Sequence, residues 1–390
     1  MHDHSGNRPG EELIRVHMPE LDTLRGIAVV AVMLLHGFYW QYSGLHFSGL
    51  QRLLLLATKP GWLGVNLFFV LSGFLITGIL LEAKDKPGYY RRFYTRRALR
   101  ILPAYYLLLV ILAFLRQASL PYLGLSSIYL ANLTVLFGVA NDYGPLWSLA
   151  VEEHYYIAWP ALVRLCSVRS VGILALGICL AEPLLRAVAF TTGHAAGIAV
   201  YTWFVADGLA MGGVLAALLR TAVSRRQVRR IAAFLLLLAA AAAAIGSPLG
   251  ILTRDHRLGA ALQLTVLNLA FGGGLLSVLL LGTSRWQRYV NSAVLGFLGY
   301  VSYGLYLIHL LVFRIYDQLA HLFWPQLEPR DGRFGLIVLR FACVFAVSVG
   351  LAYLSRRFFE ERFLRLQQHF APGERWADQM SSTPRGSQLA

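Results

Sequence analysis

Charge is scarce in this chain. Only 14% of its 390 residues are Asp, Glu, Lys or Arg, whereas soluble domains carry roughly 25%, so a water-soluble fold is excluded. Cysteine is scarcer still. Cys166, Cys179 and Cys343 lie in or beside apolar runs, without a disulfide framework or zinc-ligand spacing, so no metal is expected. Acid is short relative to base, 20 Asp and Glu against 35 Lys and Arg for a net charge of +15. These basic residues form short clusters between apolar runs, not one face of a soluble domain. That pattern excludes a nucleic-acid partner and matches the basic bias of cytoplasmic loops in membrane proteins. Alternating polarity is also missing, since unbroken apolar runs such as 231–245 cannot form a membrane β-barrel.

What remains is hydrophobic length. Apolar residues make up 57% of the chain, and about 20 of them in a row suffice for one helical span. Because lipid offers the backbone no hydrogen-bond partners, the spans must be helices. The expected fold is therefore all-α, a polytopic bundle of about ten transmembrane helices. They are placed at 22–42, 62–81, 101–118, 146–164, 171–190, 198–219, 231–250, 259–282, 293–313 and 335–355. Basic residues in alternate loops put both termini in the cytoplasm of an inner (plasma) membrane. Residues 1–20 read as a cytoplasmic tail, 21–366 as the membrane domain, and 367–390 as a disordered cytoplasmic tail. The apolar stretch 120–140 contains Pro121, Ser126, Ser127 and Asn132. Counting it as a span would put the basic cluster 225–230 outside, so it is expected to be re-entrant or interfacial.

Ionisable residues inside spans are costly and mark function by default. The first span holds Asp22, Arg25 and His36. Eleven helical steps lead from Arg25 to His36, which returns to nearly the same helix face about 16 Å further along. Asp22 is spaced to pair with Arg25. The fourth span opens with Trp147, Ser148, Glu152, Glu153 and His154, and adjacent carboxylates cannot both face one interior. An interfacial belt explains the aromatics there but not the glutamates. In the ninth span Ser302, Tyr306 and His309 share a face; a plain packing stripe is the alternative. His36, Glu152 and His309 come out at similar depth, where imidazole and carboxylate can do acid–base work. Arg97 and Arg100 share a face at the entrance to the third span, and arginine suits phosphate. Positive-inside anchoring is the competing explanation. Asp207 stands without an evident partner, Glu182 and Arg186 form an i, i+4 pair, and Ser72 with Gly64, Gly73 and Gly78 reads as a close-packing face.

These residues occur in a telling order. Leu21-Asp22-x-x-Arg25-Gly26 followed by His36 resembles the Arg-x10-His motif of the acyltransferase-3 family of membrane acyltransferases. Phe68 to Ile76, Arg97-x-x-Arg100-Ile101-x-Pro103, Trp147-Ser148-Leu149-x-Val151-Glu152-Glu153-x-x-Tyr156 and Ser302-Tyr303-x-x-Tyr306-x-x-His309 resemble its later blocks, from Leu21 to Leu366. His154 replaces an expected Gln, Val205 an expected Arg, and the closing block Glu360-Glu361-Arg362-Phe363 lacks a proline. The larger members' periplasmic hydrolase-like domain has no counterpart in these 390 residues.

The resemblance implies transfer of an acyl group, often acetyl from acetyl-CoA, to a hydroxyl of an extracytoplasmic or lipid-linked glycan or a glycoside. On that reading no cofactor is bound permanently, and acyl-CoA is a co-substrate held at Arg97 and Arg100. His36 takes the acceptor proton or carries the acyl group, and Glu152 orients it. Asp22, Arg25, Trp147, Ser148, Glu153, Tyr306 and His309 support the site. A transporter or flippase using the same buried groups is the rival, and paired broken helices would favour it.

Overall fold

The computed structural model describes residues 13–15, 17–327 and 333–370, and every regular element among them is helical. Most of the expected tails, 1–12 and 371–390, lie outside the described residues. Helix α1 runs from Pro19 to Tyr42. Pro19 supplies its preset first turn, and Glu20 and Asp22 complement the positive end of its dipole. Its ladder widens into a π turn at Leu35–Tyr39, which carries His36. Helix α2 (Gly49–Thr58) continues through a 3₁₀ turn into α3 (Leu63–Ala83). Next come α4 (Tyr89–Phe114), α5 (Leu120–Ser127), α6 (Leu146–Leu165) and α7 (Val168–Thr191). They are followed by α8 (Asp207–Leu218), α9 (Arg225–Gly246) and α10 (Arg257–Gly282). The chain then forms α11 (Ala293–Tyr300), α12 (Ser302–Phe323), α13 (Phe334–Leu354) and α14 (Glu361–Phe370).

Seven of the described helical stretches are long and apolar enough to cross a membrane, or up to eight if one bent pair counts as a single span. The protein is a polytopic membrane helical bundle. Three expected spans take a different form. The third starts early, because its basic entrance is itself helical: α4 begins at Tyr89, after Gly88 turns the chain at φ 72°. The sixth breaks at Ala206, leaving α8 only 12 residues long, about 18 Å at 1.5 Å per residue. Ten of the twelve are buried, against α3, α7 and α10, and protein surroundings are what make a short helix tolerable at membrane depth. The ninth breaks at Val301, where α11 and α12 meet at 77°. The stretch 120–140 folds as α5 and a 3₁₀ turn at Ala131–Phe137, and neither piece is long enough to cross.

Close crossings hold the centre. At Gly73 an added Cβ would overlap the Leu209 carbonyl, and at Gly212 the Val70 carbonyl. Thus α3 and α8 touch backbone to backbone, as small residues permit in membranes. Asp207 does have a partner: Arg186 Nη2 donates to its Oδ2 at 2.9 Å, while Glu182 Oε2 lies 3.7 Å from Nη1. Arg186 of α7 thus supplies the cation beside Asp207.

Candidate active site

Five separate stretches of sequence line one cavity of about 100 Å³. Arg25 comes from α1, and Phe68, Phe69 and Ser72 from α3. Arg97 and Arg100 come from α4, Ser148, Glu152 and Tyr156 from α6, and Ser302, Tyr303 and Tyr306 from α12. Helical spacing explains each group. Arg97 and Arg100 are three apart, and Ser148, Glu152 and Tyr156 are four apart, so each set projects from one face.

Glu152 is the one carboxylate among the lining residues. Its Oε2 accepts from the Tyr156 hydroxyl at 2.9 Å and its Oε1 from Ser72 Oγ at 3.1 Å. Ser72 therefore does more than ease helix packing. The Arg97 guanidinium lies 4.9 Å from the centre of the Tyr156 ring, close enough for a cation–π contact. Arg25 Nη1 donates to Asp22 Oδ1 at 3.2 Å, the pairing expected from spacing. Three guanidinium groups thus converge on a small chamber, which the charge of phosphate would suit.

Two of the lining residues, Ser148 and Tyr306, have their hydroxyls 2.7 Å apart. Next to Tyr306 stands His309, fully buried, with its ring centroid 5.8 Å from that of Tyr306. His309 Nε2 lies 3.2 Å from His36 Nδ1. The two carbonyls beside this pair decide its tautomers, because a carbonyl only accepts. His309 Nδ1 is 2.8 Å from the Tyr306 carbonyl and so carries its proton there. In the neutral ring, His309 Nε2 is then an acceptor. His36 Nδ1, which also faces the Val32 carbonyl at 3.0 Å, is the donor. The lone pair of His36 is left on Nε2. Its ring is half-buried and stacks on the exposed indole of Trp40, with centroids 5.4 Å apart.

The site therefore differs in one respect from its sequence expectation. Glu152 is held by Tyr156 and Ser72, and its hydrogen-bond partners include neither imidazole. The side chain hydrogen-bonded to His36 is His309. Helix spacing accounts for this: Glu152 lies one turn beyond Ser148, which is the residue that reaches Tyr306 beside His309. Glu153, about 100° further round α6, is not among the lining residues, nor are Trp147, His36 and His309. Trp147 packs against the Phe69 ring, 6.0 Å between centroids.

The family model described as an acyltransferase domain matches residues 18–357. The chain belongs to the acyltransferase-3 family. Among proteins of this kind, it is 34% identical over 168 residues to a peptidoglycan O-acetyltransferase, OatA, of Listeria monocytogenes. That stretch is 38% of this chain and 24% of the Listeria protein. A Bacillus subtilis relative, named "Putative peptidoglycan O-acetyltransferase YrhL", is 35% identical over 164 residues, 37% of this chain and 23% of its own length. The matches thus span about a quarter of these relatives. No solved structure matches the chain.

Two residues of this family member escaped sequence reasoning. Arg340 and Arg356 lie in or at the end of the last apolar run, and both are buried. Their signal was plain, since each is a cation where lipid is expected.

Proposed function

We propose that the protein is a membrane O-acyltransferase that moves an acyl group, acetyl in the first instance, from cytoplasmic acyl-CoA to a hydroxyl of a cell-surface or lipid-linked glycan or glycoside. The observation that carries this reading is the alignment of two half-sites. An arginine-lined chamber includes the hydrogen-bonded Ser148 and Tyr306, and Tyr306 adjoins His309, which is hydrogen-bonded to His36. Family membership supports the reaction class, and the activity in the relatives' names supports acetyl and a wall glycan.

In this mechanism the CoA phosphates bind Arg97 and Arg100 from the cytoplasmic side, with Arg25 adding charge deeper in. The thioester enters between Ser148 and Tyr306 once their hydrogen bond opens. His36 Nε2 takes the proton of the acceptor hydroxyl as its oxygen attacks the thioester carbonyl, forming the new C–O bond. The C–S bond breaks, and CoA leaves with the proton returned from His36. His309 stabilises the imidazolium by accepting from its Nδ1–H. Positive-inside placement of the arginines puts both termini in the cytoplasm and the acceptor on the outer side.

The test is release of CoA thiol by purified protein in nanodiscs given acetyl-CoA and glycan acceptors, with the product read by mass spectrometry. No turnover of any acyl-CoA beside facilitated movement of the glycan would favour the transporter. Two features lean that way, the break at Ala206 and the 77° break between α11 and α12.

A further inference from the structure

Arg340 takes no part in the cavity or the histidine pair, yet it is 1% exposed inside an apolar spanning helix. Such a cation needs compensation. It finds it in Asp317 of α12: Nε lies 2.6 Å from Oδ1 and Nη2 lies 2.6 Å from Oδ2, a bidentate fork. The remaining nitrogen, Nη1, donates to the Gly37 carbonyl of α1 at 3.3 Å. The guanidinium also sits 4.5 Å from the Phe313 ring centroid and 5.5 Å from that of Tyr42. Gly37 is boxed in, since an added Cβ would stand 2.5 Å from Phe341 Cδ2 and 2.8 Å from Phe313 Cζ. Helices α1, α12 and α13 thus meet at one glycine.

That glycine follows His36 and lies within the π turn Leu35–Tyr39. A π turn departs from the regular ladder and is common at functional sites. Where the ladder does not dictate side-chain direction, a donor from outside can. The helices that the Arg340 fork joins, α1 and α12, are the two that carry His36 and His309. We propose that Arg340, oriented by Asp317, is a positioning residue that fixes the π turn and thereby the His36–His309 hydrogen bond. Only its consequence for turnover rests on the acyl-transfer reading.

Removing either partner outright would strand a charge in the membrane, so loss of fold could hide the effect. Two gentler changes avoid this. Arg340→Lys keeps the charge but cannot present the planar fork that grips Asp317 while a third nitrogen reaches the Gly37 carbonyl. The double swap Asp317→Arg with Arg340→Asp restores an ion pair without a donor for Gly37. The first readout needs no activity: the rate at which diethyl pyrocarbonate modifies His36 in nanodisc protein, followed by peptide mass spectrometry. Exposed His194 serves as internal reference. His36 should react several-fold faster in both variants, with His194 unchanged. The second readout is kinetic. Turnover number should fall about 10²-fold, the effect of a displacement near 1 Å, with the acyl-CoA KM unchanged. Wild-type labelling of His36 in the swap overturns the proposal, whatever happens to turnover. Faster labelling together with a wild-type protein that turns over no acyl-CoA leaves the positioning role standing and sinks the acyltransferase reading.

Discussion

At the scale of single residues, the histidine pair separates two roles that look alike in sequence. His36 is half-buried with its Nε2 lone pair available, whereas His309 is fully buried with both ring nitrogens engaged. His36→Ala should insert and fold but lose 10²–10⁴-fold in acyl transfer, the usual worth of a general base. If the folded variant keeps more than about a tenth of wild-type turnover, the base lies elsewhere. The arginines are expected to act on the donor. Arg100→Lys should raise the KM for acyl-CoA, and Arg100→Ala should raise it more. Uniform binding lost this way leaves kcat nearly unchanged, and the acceptor KM should stay put because the acceptor enters from the other side. An unaltered donor KM with scrambled topology would make these arginines positive-inside anchors instead.

Elements place these residues by being irregular. The α3–α8 crossing brings Phe69 and Ser72 to the cavity because Gly73 and Gly212 let two backbones meet. Gly73→Ala pushes a methyl into the Leu209 carbonyl, and overpacking of this kind typically costs about 1–3 kcal/mol. Its thermal unfolding midpoint in detergent should therefore drop clearly. Gly274, inside α10, has open space where a Cβ would go, so Gly274→Ala should keep or raise the midpoint, with a helix-propensity gain of up to about 1 kcal/mol. Equal effects at both sites would mean the crossing is looser than described. The break at Val301 matters in the same way. It turns α12 so that Ser302, Tyr303 and Tyr306 face the chamber while His309 reaches α1. Apolar periodicity carries no mark of such a bend, so the ninth span reads as straight in the sequence.

For the whole molecule, orientation follows from which loops hold the basic residues. Both termini should lie in the cytoplasm, with 120–140 entering from the outer side without crossing. Single cysteines at Gly144 and Ser224, with Cys166, Cys179 and Cys343 replaced by serine, test this by impermeant maleimide labelling. Gly144 should label from outside, and Ser224 only after the membrane is opened. Outside labelling at Ser224 would mean that the stretch crosses after all. Short α5, with Asp142 accepting from both Ser119 N and Ser119 Oγ at its start, has the geometry of a surface cap.

Hydrophobic length alone determined that this protein is a helical membrane bundle, because every backbone group in lipid must be paired within its own segment. Helix periodicity put Ser302, Tyr306 and His309 on one face and Arg97 with Arg100 on another. It also paired Asp22 with Arg25. What it could not decide is which faces meet. Glu152 went to Ser72, His36 to His309, and Asp207 to Arg186, each pair on two different helices. Those meetings depend on crossing points and on breaks at Ala206 and Val301, which are set by the packing of all the helices at once. Arg340 makes the same point, since its charge was visible in the sequence but its carbonyl partner on α1 exists only in the assembled bundle.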